Sequence, residues 1–270
     1  MNITTFFFLA CIACFAARGY SAFNYSDPAP FGSDTKYARE SDNAAIGEWW
    51  NLKLKRGLTG YDQRASKWFQ SLDRDQALAF ALYTQDHGVL KLTAQCFPLL
   101  PNEPKVVSLE FKEDGQWVLS QKQAVQYPGW SVHFRVDDWD ASKNIPYRLS
   151  LGELSEFEGL VRADPINKET IVVGSLNCNS PVDKEFDTRK QTVDNLKYHD
   201  PDLLFFAGDQ NYTHDEATYG WLQFGVQFAE VMKDRPTICI LDDHDVGHPN
   251  IWGEGGKASS GIKGASDGGY

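Results

Sequence analysis

Three short apolar runs constrain this chain most: Thr170–Gly174, Asp202–Ala207 and Pro236–Leu241. Runs of this kind read as strands buried on both faces, as in parallel sheets. Between them, Phe186–Tyr198 and Tyr219–Met232 read as helices, the second with Trp221, Phe224, Phe228 and Val231 on one side. Strand, helix, strand, helix, strand predicts a βαβαβ unit with right-handed crossovers and a parallel sheet.

Each run breaks off into polar residues. The first ends in Gly174–Asn179, the second in Gly208–His214 and the third in Asp242–Asp245. Ligands of open α/β sheets bind outside the carboxyl ends of the strands. Neighbouring strands lie roughly 4.8 Å apart, so the three ends converge on one patch. That patch holds the Cys178 thiol, the Tyr212 phenol, the His244 imidazole and the carboxylates of Asp209, Asp242, Asp243 and Asp245. Crowded carboxylates repel, and a multivalent cation relieves them. Taken singly, several of these residues have plainer readings. Asp209 suits a helix N-cap, Cys178 a small buried hydrophobe and Tyr212 a packed aromatic. Three carboxylates and an imidazole at the end of an apolar strand resist such a reading, because desolvating them without a partner is costly.

Upstream the texture is different. Ala77–Tyr83, Val89–Phe97, Val106–Phe111, Trp117–Val125, Trp130–Val136, Tyr147–Leu151 and Phe157–Arg162 are short strand-like runs, with Asp114-Gly115 as a hairpin turn. Seven such strands predict a β-sandwich of the immunoglobulin or fibronectin kind over residues 75–163. Residues 23–74 form a lead-in with an irregular helix at Tyr37–Leu54 and a better one at Asp62–Leu72. Ile3–Ala17 is too short to span a bilayer and suits a signal peptide over residues 1–22, cut after Gly19 or Ala22. That predicts a secreted or periplasmic protein. An uncleaved N-terminal anchor, or lipidation at Cys14, is the alternative. No other transmembrane segment is expected. Beyond the signal, Cys96, Cys178 and Cys239 are odd in number, so one thiol at least lacks an intramolecular partner.

The 270 residues suffice for one large domain or two modest ones. With 26 Lys and Arg against 37 Asp and Glu, the formal charge is −11 and no basic run exists. That argues against nucleic acid gripped through its phosphates.

Gly208-Asp209-Gln210-Asn211-Tyr212, followed by Asp242-Asp243-His244-Asp245, resembles the calcineurin-like metallophosphoesterase superfamily, and within it the PhoD-like alkaline phosphatase branch. Leu176-Asn177-Cys178-Asn179 is similar to the branch's Ser-Cys element, and Trp252–Lys257 to the stretch after its last motif here. Asp245 stands where Glu is usual. The resemblance implies an N-terminal β-sandwich followed by a phosphatase domain of αββα type, represented by its first half over residues 164–270. Within it, metal ligands Cys178, Asp209, Tyr212 and Asp243 would hold iron with calcium or another divalent ion, Asp209 bridging the two. His244 would protonate the leaving oxygen of a small phosphate ester, and Asp245 would orient His244. The later His and Asp motifs of the superfamily are not in the sequence, so the chain reads as a fragment or, in the alternative, as a truncated relative that cannot complete the site. The other reading is a non-catalytic exported binding protein whose β-sandwich is the functional part.

Overall fold

The computed structural model describes residues 44–46, 49–50, 60–180, 189–213 and 216–245. The run Ile3–Ala17 and the stretch Trp252–Lys257 lie outside them. Of the helix expected at Tyr37–Leu54, the described residues 44–46 and 49–50 lie in turns and a bend.

Helix α1 spans Gly60–Ser71. Seven strands follow: β1 Leu78–Asp86, β2 Val89–Cys96, β3 Val106–Glu113, β4 Gln116–Ala124, β5 Ser131–Val136, β6 Ile145–Leu151 and β7 Ser155–Val161. They form two antiparallel sheets, ordered β1-β2-β5 and β4-β3-β6-β7. Asp114 and Gly115 both have positive φ, 46° and 82°, between the paired ends Glu113 and Gln116. This is the mirror-image turn whose twist matches antiparallel strands. Alternate residues point inward, as the pleat requires. Tyr83, Leu92, Val132 and Phe134 from one sheet join Leu109, Phe111, Tyr147 and Leu149 from the other in a single core.

The second half alternates as predicted: β8 Val173–Leu176, α2 Lys190–His199, β9 Leu203–Phe206, α3 Ala217–Met232 and β10 Thr237–Cys239. The sheet is parallel, ordered β10-β9-β8. Strand β8 begins three residues later than the apolar run, because pairing starts only where Val173 meets Leu203. A further difference concerns burial. Leu204 and Phe206 are buried on the α3 side, but Val173, Ile238 and Ile240 on the opposite side are 40–49% exposed. Among the described residues, the sheet is covered on one face only. Mixed helix and sheet, with most strands antiparallel, is the architecture.

Helix α3 joins the two halves. Phe224 and Phe228 meet Phe206 of β9 edge-on, at 4.8 and 5.0 Å between ring centroids. On another side Trp221 meets Phe80 of β1 at 5.6 Å, and its Nε1 donates to Gln95 Oε1 at 3.1 Å. Just past the helix, the Lys233 carbonyl accepts from the Tyr147 hydroxyl and from the Leu160 N–H, both at 3.0 Å. Nearby, Asp200 receives Arg162 at 2.9 Å and Arg235 at 2.6 Å. Arg162, with Arg235, holds the Asp200 carboxyl below its usual range against the opposing effect of burial.

Gly225 is where α3 and β1 touch. A Cβ there would lie 1.9 Å from Cε1 of Phe80, a ring only 1% exposed. Gly225→Ala would gain roughly 1 kcal/mol of helix propensity. Forcing a methyl group into this contact costs about 1–3 kcal/mol, and a gap this short belongs at the upper end. A lowered thermal midpoint is therefore expected. An unchanged or raised midpoint would mean that α3 does not dock on β1 here.

Candidate metal centre

The three strand ends do converge. After β8 the chain reaches Cys178 with φ 52°, and after β9 it reaches Gly208 with φ 104° and Asp209 with φ 54°. Two backbone bonds lock these turns together: Cys178 N–H to the Gly208 carbonyl at 3.2 Å, and Asn179 N–H to the Asp209 carbonyl at 2.8 Å. A left-handed non-glycine residue carries roughly 1–2 kcal/mol of strain. Two of them face each other at adjacent strand ends, and such strain gathers at functional sites.

The side chains centre on Asp209, which is 7% exposed. The Tyr212 hydroxyl donates to its Oδ2 at 2.9 Å, and the Cys178 thiol lies 3.7 Å from the same oxygen. The His244 N–H donates to Oδ1 at 3.3 Å. The rings of Tyr212 and His244 stack at 4.1 Å and a 41° tilt. Asp209, Asp243 and His244 each offer a ligand atom, all within 4.8 Å of one another. Ligands sit about 2.0–2.6 Å from a biological cation. Two ligands of one ion are therefore separated by no more than roughly 5 Å, and this cluster fits one. Burial raises the Tyr212 pKa, and its bonds with Cys178 and Asp209 raise it further. Without a positive charge nearby, the phenol keeps its proton.

The plainer readings of Asp209 and Cys178 do not hold. Asp209 caps no helix, since α3 starts eight residues later, behind Glu216. Cys178 is exposed rather than buried. Cys96, Cys178 and Cys239 are all free thiols, with Cys239 pushed up to about 12 by burial and then by the Asp245 charge. Asp242 is exposed, whereas Asp243, His244 and Asp245 are half-buried.

The Asp245 carboxylate is held by backbone N–H groups of two loops. Its Oδ1 accepts the Asn211 N–H at 3.2 Å and its Oδ2 accepts the Asp242 N–H at 3.1 Å. It clasps the loop after β9 to the loop after β10. Burial raises its pKa, and the surrounding backbone N–H groups oppose that.

Sequence reasoning missed Asn179, Arg189, Gln210 and Gln227. Asn179 Nδ2 donates to the Gln210 carbonyl at 3.1 Å and to Gln227 Oε1 at 2.8 Å. Its Oδ1 accepts from Arg189 Nε at 2.8 Å. The one signal available was an Asn directly after the Cys at a strand end. Gln227 lies on α3 among apolar residues, and nothing in its local sequence marks it.

Gly208 controls the approach of the third strand end. A Cβ there would stand 2.6 Å from the Asp242 Cβ, on a backbone with φ 104°. Gly208→Ala should therefore push the Asp242–Asp245 loop away from Asp209. A lower thermal midpoint and at least tenfold weaker metal uptake, read by competition with a chelating dye, are expected. Wild-type metal affinity in Gly208→Ala would remove this turn from the site.

No family model matches this chain, and no curated protein matches it. Among solved structures it is similar to a purple acid phosphatase from yellow lupin (Lupinus luteus) seeds. That similarity has a TM-score of 0.46 and 16% identity, over 65% of this chain and 36% of that one. It is also similar to a Paenibacillus sp. cycloisomaltooligosaccharide glucanotransferase, with a TM-score of 0.29 and 16% identity, over 48% of this chain and 20% of the other. The chain thus corresponds to a minor part of either protein.

Proposed function

We propose that the chain is a secreted, metal-dependent phosphoesterase of the PhoD-like kind, acting on small phosphate esters at the strand-end cluster. One observation carries the reading: carboxylate oxygens of Asp209 and Asp243 and a ring nitrogen of His244 lie within 4.8 Å of one another, so the imidazole stands beside two carboxylates that would share an ion. Cys178 and Tyr212, both on the Asp209 carboxylate, support it.

Cys178, Asp209, Tyr212 and Asp243 are the residues that would hold the ions. Thiolate and phenolate suit oxidised iron, and Asp243 suits calcium or another divalent ion. Such ions supply Lewis-acid stabilisation of charge on the phosphoryl oxygens. Asp209, with two carboxylate oxygens, would serve both ions. His244, held over the Tyr212 ring, gives a proton to the leaving oxygen. Asp245 keeps the loop bearing Asp243 and His244 fixed. The strand orders β1-β2-β5 and β4-β3-β6-β7 favour an immunoglobulin- or fibronectin-like sandwich ahead of this site. The βαβαβ unit is read as the first half of an αββα phosphatase domain.

Activity on a chromogenic phosphate ester and metal content, measured in parallel in a form that also carries the second half of the phosphatase domain, test the site. Asp209→Asn should lose both. His244→Ala should keep its metal while turnover falls ~10²–10⁴-fold, the usual worth of general acid–base help. Equal metal content in wild type and Asp209→Asn would sink the metal reading. Bound metal without turnover would favour the non-catalytic binding protein.

Export is read from Ile3–Ala17 alone. N-terminal sequencing of the protein made from its natural start should find Tyr20 or Phe23 first. A cytoplasmic product that still begins at Met1 would refute export. No helix among the described residues is long and apolar enough to cross a membrane.

A further inference from the structure

A cavity of about 640 Å³ lies between the outer face of β1-β2-β5 and the start of α3 with strand β10. None of Cys178, Asp209, Tyr212, Asp243 and His244 lines it. Its size falls within the roughly 300–1,000 Å³ of small-ligand sites, which favour junctions between folding units. The floor carries a polar row. Thr93 and His133 stand side by side on β2 and β5. The His133 ring is held at both nitrogens: Nδ1 lies 3.1 Å from Thr93 Oγ1, and Nε2 lies 3.1 Å from Ser131 Oγ. A neutral imidazole donates at one nitrogen and accepts at the other. One of the two hydroxyls therefore keeps its proton to donate outward, and each keeps a lone pair. Trp221 forms the wall, and its indole is fixed in place. Its Nε1 donates to Gln95 Oε1 at 3.1 Å, and Gln95 Nε2 donates in turn to the Gly129 carbonyl at 2.8 Å. There is no Asp, Glu, Lys or Arg among the described residues that line the cavity.

We propose that this cavity binds a neutral saccharide, a mono- or disaccharide unit, with a C–H face of the sugar against Trp221 and its hydroxyls on the Thr93–His133–Ser131 row. The site is separate from the metal centre and does not depend on it. The lining disfavours other ligand classes. A phosphate or carboxylate group meets no cation in it, on a chain whose formal charge is −11. A purely apolar ligand would strip water from two hydroxyls without replacing the lost bonds, which is costly. A peptide strand cannot add to the floor at β2, because β1 and β5 already pair with it on both sides. A sugar alternates apolar C–H faces with hydroxyls that both donate and accept, so it satisfies the indole and the polar row together.

Titration of the isotope-labelled full chain with glucose, galactose, mannose and N-acetylglucosamine tests the site. The readout is the indole N–H resonance of Trp221, assigned by its loss in Trp221→Phe. At least one of these sugars should shift that resonance saturably. Thr93→Val removes one hydroxyl at nearly constant shape and should weaken binding about two- to tenfold, the worth of a neutral hydrogen bond. His133→Ala, at an exposed position, removes the centre of the row and should weaken binding at least as much. Both variants should keep the circular dichroism spectrum and the metal uptake of wild type. No saturable shift with any of the sugars would overturn the proposal, as would wild-type affinity in both Thr93→Val and His133→Ala.

Discussion

Helix α3 is apolar on two sides, and both halves of the structure depend on that. Phe224 and Phe228 close the α3 face of the parallel sheet against Phe206. Trp221 and Gly225 close the outer face of β1 against Phe80. Burying a large apolar side chain is worth about 1.5–3 kcal/mol, so this helix supplies several such contributions to each half. It also fixes where the strand ends stand. Gln227, on the same helix, holds Asn179, and Asn179 ties the β8 turn to the β9 turn.

The cluster at the strand ends is organised by backbone before it is organised by charge. Cys178 and Asp209 sit in left-handed conformations and exchange backbone bonds with their neighbours. Gly208 lets Asp242 come close. Asp245 then spends its carboxylate on N–H groups of two loops. With these bonds in place, ligand atoms of Asp209, Asp243 and His244 lie within 4.8 Å of one another. The raised pKa of Tyr212 has the same origin: a phenol buried against an aspartate and a thiol keeps its proton until a positive charge arrives.

The junction between the halves is polar as well as apolar. The Lys233 carbonyl accepts from Tyr147 and Leu160, while Asp200 bridges Arg162 and Arg235. The hydroxyl bond aims Tyr147, a fully buried side chain, at one carbonyl. Apolar contact supplies the energy of docking, and these directional bonds fix its register.

The seven antiparallel strands, the βαβαβ order and the residues at the strand ends were legible in the sequence. Period-two alternation, an Asp-Gly turn and apolar runs are local signals, so short stretches of chain suffice to carry them. The convergence of Cys178, Asp209 and His244 was legible too, because parallel strands place their carboxyl ends side by side. Other features were not. The Asp245 bond to Asn211, the Asn179 bonds to Gln210 and Gln227 and the Gln210 amide bond to Ile240 join residues 30 or more positions apart. The β8 boundary and the exposed Val173, Ile238 and Ile240 face likewise follow from pairing and packing. The sequence determined which elements form and which chemical groups stand at their ends, because backbone periodicity and turn chemistry are local. Tertiary structure alone decided which of those groups hold the loops and which stand close to one another, because hydrogen-bond partners are chosen only once distant segments have packed.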